Sequence, residues 1–260
     1  MLKGILYLIF ILIATLLINI DIFKQFGYGI LVSFVIRLVE IILENHSNLL
    51  LWLKCNSVFR DKDIRISISY LFRIKVKGKY LLVRGDRIKN QFQPVGGVYK
   101  RLPEAIDFFN KLGIKDDDCI PIDENSENDL RVRVKGKNVP AFLRWYYSGS
   151  QREDSVFREF YEELIRTGIL TSDRFPYINY RHVYRKQTDI RFVDYFNCYE
   201  LLIAEIFELI PDKQQEEELI KLMEKENPKY IWADEKTIRS RGVSSEHLEQ
   251  NISETSQWII

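Results

Sequence analysis

The chain begins with an apolar run and then changes texture. Gly4 to Ile20 carries no charged residue. Extended to Phe23, the run forms a helix of about 30 Å, the thickness of a hydrocarbon core. A second apolar stretch, Phe26 to Leu43, holds Arg37 and Glu40, with Glu44 just beyond. On a helix these three charges share one face, and charge inside a span points to a partner or to water. The pattern predicts a two-helix transmembrane hairpin in residues 1–54, with spans of 4–23 and 28–44. A cleaved signal peptide competes for the first stretch, although no small-residue cleavage site follows it. An interfacial amphipathic helix competes for the second. Lys3 precedes the first span, and Lys54, Arg60, Lys62 and Arg65 follow the second, whereas the loop sets only Lys24 against Asp21. The positive-inside bias therefore predicts both termini and the rest of the chain on the cytoplasmic side.

From Asp63 the pattern becomes alternating. "IRISISYLFRIKVKGKYLLVRGD" predicts two strands turning at Gly78, and "FQPVGGVYKR" a turn and a further strand. "LPEAIDFFNKLGI" predicts a short helix, and "LRVRVKGKNVPAFLRWYY" a hairpin turning near Gly136. Phe157, Phe160, Tyr161, Leu164 and Ile165 recur at helical spacing, with Gly168 as the stop. One or two strands follow over Asp189–Pro211, then a helical or loop stretch, a strand ending at Trp232 and a short helix begun near Asp234. Residues 244–260 read as a polar tail with little to pack except Trp258. The soluble part, 55–243, is thus expected to be one α+β domain.

Composition narrows the function classes. Charged residues make up 29% of the chain but the net charge is +1, so no direct binding to a nucleic-acid polymer is expected. The three cysteines lack CxxC spacing, which argues against a disulfide framework or zinc knuckle and for a reducing compartment. "KDDDCIPIDENSENDL" reads as a solvated loop, without the spacing of a calcium loop. His182 reads as structural or surface, and GxSxG, P-loop and HExxH motifs are absent.

Glu159, Glu162 and Glu163 fall on one side of the predicted 157–165 helix, a spacing that can converge on a hard cation such as Mg²⁺. The order of elements, strands, "PVGGVY", a helix holding "REFYEEL", strands and "YIWADEKTI", resembles the Nudix fold over roughly residues 64–242. Arg158-Glu159-Phe160-Tyr161-Glu162-Glu163 matches the second half of the family's box. The resemblance implies Mg²⁺ binding by Glu159, Glu162 and Glu163, and a supporting role for Arg158, Gly97 and Gly149. It implies an α/β/α sandwich with a large insertion in the box, because 61 positions separate Gly97 from Arg158. Ser150 stands where the family has a glutamate eight residues before the arginine, and Gly168 comes late after Glu163.

A membrane hairpin joined to such a domain resembles the SMODS-associated Nudix effectors of bacterial anti-phage signalling (CBASS). That resemblance implies a two-pass inner-membrane effector. Its cytoplasmic Nudix-like domain would sense a cyclic oligonucleotide second messenger, and activation would bring homo-oligomerisation and disruption of the bilayer by the Arg37/Glu40 face. No cofactor is then required, with Mg²⁺ optional and no catalytic residue expected. Phosphates and bases call for cations and flat side chains, which selects Arg84, Arg87, Gln93, Tyr99, Lys100, Arg101, Trp145, Tyr146, Arg181, Arg185 and Lys186 as ligand-binding candidates. The rival reading is a membrane-anchored, Mg²⁺-dependent hydrolase of a nucleoside diphosphate derivative, with Glu162 and Glu163 catalytic. A purely structural anchor is the third.

Overall fold

The computed structural model describes residues 12, 32–37, 40, 46–85, 90–119, 126–244, 247–248 and 250–260. The chain divides into two compact units, Met1–Arg60 and Asp61–Ile260. In the first, helix α1 (His46–Asn56) places Lys54 in its last turn, where a cation suits the helix dipole. The expected transmembrane hairpin is not sustained. Among the described residues no helix is long and apolar enough to cross a membrane, and most of both expected spans lies outside them. Arg37 Nη1 donates to Glu40 at 2.6 Å within one turn, and both side chains are exposed. The fold class is therefore corrected to α+β without a shown membrane hairpin.

The second unit begins with β1 (Asp63–Arg73), β2 (Lys75–Val76), β3 (Lys79–Arg84), β4 (Gln91–Pro94) and β5 (Gly96–Val98). Next come α2 (Ile106–Leu112), β6 (Lys115–Asp116), β7 (Arg131–Lys135) and α3 (Val139–Ser148). The box helix α4 (Phe157–Phe160) continues as a π-helical segment, Tyr161–Ile165. After it lie β8 (Tyr180–Gln187), β9 (Arg191–Val193), β10 (Cys198–Leu209), α5 (Lys213–Met223), β11 (Tyr230–Asp234) and α6 (Glu235–Arg239). Short strands β12 (Val243–Ser244), β13 (His247–Leu248) and β14 (Asn251–Ile252) and a 3₁₀ helix, Glu254–Ile259, close the chain.

The larger sheet runs β6-β7-β1-β10-β8. Strand β1 is its axis. It pairs parallel with β10 along its length, while β7 takes Asp63–Ser67 and β5 takes Ser69–Leu71 on the other edge. Ile64, Ile66, Ile68, Tyr70 and Phe72 are fully buried, as period-two alternation on a core strand requires. The smaller sheet runs β11-β3-β4-β14. Leu71, Leu82, Phe92, Ile206, Ile238 and Ile259 join one hydrophobic cluster that ties the two sheets together.

Three expectations are corrected here. "VPAFLRWYY" is helical rather than the second arm of a hairpin. Val139, Phe142, Leu143 and Tyr146 are buried at helical spacing, and Pro140 sits in the first turn, where its missing N–H costs nothing. The expected polar tail packs into the domain: Asn251–Ile252 pairs with β4, and Ile252, Ser256 and Ile259 are buried. The acidic stretch is not wholly solvated. Asp117 is buried and accepts from Arg65 Nε at 2.8 Å, while Arg65 Nη1 reaches Glu200 at 2.5 Å. The β1–β10 register sets Arg65 beside Glu200, so this ion layer lies across the sheet rather than within one element. Residues 120–125 lie outside the description.

Candidate active or ligand site

Helix α4 is held by its apolar side. Phe160 and Leu164 are fully buried, and Phe160 packs edge-on against Phe72 of β1 with ring centroids 5.6 Å apart. The opposite side is therefore committed to a cleft. Arg166 N–H donates to the Tyr161 carbonyl at 2.8 Å, a five-residue step that widens the helix at Glu162 and Glu163. Such single π-turns are common at functional sites. Gly168 ends the segment in the left-handed region, at φ +73°.

Arg158 is the hub of the site. Its Nε and Nη2 donate to the two oxygens of Glu153 at 2.9 and 3.0 Å, a bidentate pair. Nη2 also donates to the Val98 carbonyl at 3.0 Å, and Nη1 to Glu159 at 2.5 Å. Glu162 stands 3.7 Å from Nη1. Burial opposes the Arg158 charge, but hydrogen bonding to Glu153 and the charge of Glu159 hold its pKa above the ordinary value. Burial raises the Glu159 carboxyl, Arg158 opposes this, and Glu162 and Asp129 add to the rise.

The two glycines before the cleft have separate reasons. A Cβ on Gly97 would stand 2.1 Å from the Glu159 carboxyl carbon, and one on Gly96 would stand 2.1 Å from the Tyr70 carbonyl oxygen. Gly96 N–H donates to Glu163 at 2.8 Å, and Gln93 Nε2 donates to the same carboxylate at 3.5 Å. The glycine turn is thus shaped around the box carboxylates. Beside them opens a cleft of about 710 Å³ lined by Asp129, Glu159, Glu162 and Glu163 on the acidic side, and by Arg84, Arg166 and Lys229 as cations. Its size is that of a small-molecule or nucleotide pocket.

The sequence candidates separate cleanly. Arg84, Gln93, Gly97, Glu159, Glu162 and Glu163 line the cleft. Tyr99, Trp145 and Tyr146 are buried instead. Trp145 stacks on Phe108 and Phe142, Tyr99 packs on Tyr70, and burial raises the pKa of both tyrosines. They are core, not stacking surfaces. Gly149 caps α3 at φ +73°. Lys100 and Arg101 line a separate, shallower pocket beside Arg158. Arg181 pairs with Glu208 and Arg185 with Glu205, both on the β8 side of the larger sheet and outside the cleft lining. Lys186, also on β8, is exposed, and Arg87 lies outside the described residues.

Sequence reasoning missed Glu153, Asp129, Arg166 and Lys229. Glu153 matters most: it grips Arg158 from five residues upstream, although Ser150 occupies the family's position eight residues upstream. A search for any acid between Gly149 and Arg158 would have found it. Asp129 comes from the insertion.

Hard carboxylate oxygens lining one cleft fit Mg²⁺ by donor type. Glu159 and Glu163 are already engaged by Arg158 and by the Gly96 N–H, which leaves Glu162, with a quarter of its side chain exposed, as the freest of the three. Were Mg²⁺ bound, these glutamates would hold it, and it would supply charge neutralisation for phosphate oxygens. Among the described residues the one compact three-ligand group is elsewhere, at Asp117, Asp118 and Cys119. Arg133 sits beside it, 2.5 Å from Asp118 and 2.9 Å from the Cys119 sulfur, and supplies the positive charge there.

A family model, the SMODS-associated NUDIX domain, matches residues 63–260. Searches of curated proteins and of solved structures gave no significant match. The matched span starts at β1 and includes the insertion and the packed C-terminal segment.

Proposed function

The chain belongs to the SMODS-associated NUDIX family, and from that premise we propose that its domain is a receptor for a cyclic oligonucleotide in anti-phage signalling. One observation carries the reading: a single cleft of about 710 Å³ sets Arg84, Arg166 and Lys229 beside the box carboxylates. Cations in a partly desolvated cleft bind phosphate groups through charge-assisted hydrogen bonds. Lys229 Nζ is already aimed along the cleft wall by its bond to the Thr167 carbonyl at 2.8 Å. The ligand's phosphates lie against these cations, and its remaining bulk covers Val83, Val98 and Ile169. Ligand binding rearranges the domain or joins copies of it. The three free cysteines fit a cytoplasmic setting. Disruption of a membrane forms no part of the proposal.

A second reading, Mg²⁺-dependent hydrolysis of a nucleoside diphosphate derivative, is favoured by Glu153. It restores the grip on Arg158 that the Ser150 position loses, so the box is better preserved than its spacing indicates. Titration of the full chain with a panel of cyclic di- and trinucleotides, by calorimetry, tests the receptor. One ligand should bind, and Arg166→Gln with Lys229→Gln should weaken it by about tenfold or more each. Binding unaffected by both substitutions would remove this cleft as the receptor.

A further inference from the structure

The insertion sets the Cys119 sulfur against the segment that leads into Cys198 and β10, outside the cleft lining. Cys119 lies just after β6, and Cys198 opens β10. The Cys119 thiol points at the Phe196 carbonyl, 3.8 Å away and two residues before Cys198. Burial raises the Cys198 thiol pKa, and the neighbouring Cys119 adds to the rise. Arg133 Nη2 donates to the Cys119 sulfur at 2.9 Å. Cys119 is partly exposed, whereas Cys198 is buried. Asp117, two residues before Cys119, is fixed to Arg65 at 2.8 Å and to the Arg131 carbonyl through its N–H at 2.9 Å, so the backbone that carries Cys119 is anchored.

We propose that Cys119 and Cys198 form a reversible oxidation site, in which hydrogen peroxide converts the thiol pair into a disulfide that bolts the insertion to β10. The accessible sulfur reacts first. The Cys119 thiolate attacks one peroxide oxygen; an S–O bond forms, the O–O bond breaks and hydroxide leaves. The Cys198 sulfur then attacks Cys119, an S–S bond forms, and the hydroxyl departs as water with the proton that Cys198 gives up. Two thiols and one peroxide yield one disulfide and two waters, and a dithiol reductant reverses the change. Arg133 serves as a positioning residue: it fixes the Cys119 sulfur and faces the negative charge that passes through it. Cys55 lies in the other compact unit and supplies an internal control.

The fully reduced chain is treated with stoichiometric peroxide, quenched with an alkylating agent and digested with trypsin without reduction. A linked pair of peptides, 116–131 with 192–213, is expected, together with loss of two hydrogens from the intact mass and full reversal by dithiothreitol. Cys198→Ser should stop at a dimedone-reactive sulfenic acid on Cys119. Arg133→Gln should slow Cys119 oxidation by about tenfold, and Arg133→Lys should restore much of it, at unchanged melting temperature. Recovery of Cys119 and Cys198 as separately alkylated or over-oxidised peptides, or links made chiefly to Cys55, would overturn the proposal. The wild-type digest decides the matter even where a variant fails to fold.

Discussion

Two arginine–carboxylate hubs are built into this domain from the same residue types, and only one of them faces open space. Arg65 lies 4% exposed between Asp117 and Glu200, which are 2% and 5% exposed at their side chains. Arg158 holds Glu153 and Glu159 at 15% exposure each, with Glu162 at 26% on the edge of a cleft. The first hub is closed: both carboxylates bond to the one guanidinium in place, and the ion layer joins β1, β10 and the insertion. The second is open on one side, so its outer carboxylate and the nearby cations can meet a ligand. Clustered charge becomes a site only where such an opening exists. Buried charge elsewhere specifies how strands and loops register.

That contrast can be broken at its strongest point first. Arg65→Met strands two buried carboxylates and should destabilise the domain by about 3–5 kcal/mol, read from chemical denaturation. A loss as small as that of a surface substitution would mean the closed hub is solvated. Arg158→Met should cost less, about 2–3 kcal/mol, because its partners reach water. It should also weaken ligand binding, which Arg65→Met leaves intact in whatever fraction stays folded. Gly97→Ala pushes against the Glu159 carboxylate and should cost about 1–3 kcal/mol while narrowing the cleft.

The smallest effect is in pH. Burial raises the folded-state pKa of Glu159 above its ordinary value. As pH climbs, the unfolded chain releases that proton before the folded one does. The contribution of Glu159 to stability is therefore complete below the ordinary glutamate pKa and is lost as pH rises through the raised folded value. Glu159→Gln can still accept from Arg158 and should remove that decline, so its advantage over wild type grows from acid to neutral pH. A constant difference between the two melting curves across this range would refute the assignment.

Much of this arrangement was legible along the chain, and the rest was not for identifiable reasons. Helix α4 could be read because Phe160 and Leu164 repeat one turn apart while the glutamates fall opposite. The Gly78 turn, the glycine pair at 96–97 and the Asp234 cap announced themselves through local chemistry, and Asp234 does accept from the Thr237 N–H at 2.7 Å. Helix α3 was obscured because "RVRVK" alternates just before it and because Trp145, Tyr146 and Tyr147 favour strands in isolation. Trp145 and Tyr146 suit a stacking surface by residue type, but residue type does not tell which face a ring occupies, and both are buried. Burial of Asp117 depends on Arg65, 52 residues earlier, and no local pattern reports such a partner. The C-terminal segment packs through Ile252 on a strand and through Ser256 and Ile259 on a short 3₁₀ helix, and only two of these three side chains are apolar, so no apolar stripe marks it. Glu153 is invisible to a fixed spacing, because the Arg158 guanidinium needs only a carboxylate within reach.

The central claim is that the open hub borders a receptor that keeps its ligand whole. Its most direct test incubates the full chain with the cyclic oligonucleotide that binds most tightly, with and without Mg²⁺, and then quantifies the ligand recovered after denaturation. The account predicts a raised melting temperature in both conditions and complete recovery of the intact ring. Cleavage that requires Mg²⁺ and disappears in Glu162→Gln would contradict it and make the same cleft a hydrolase.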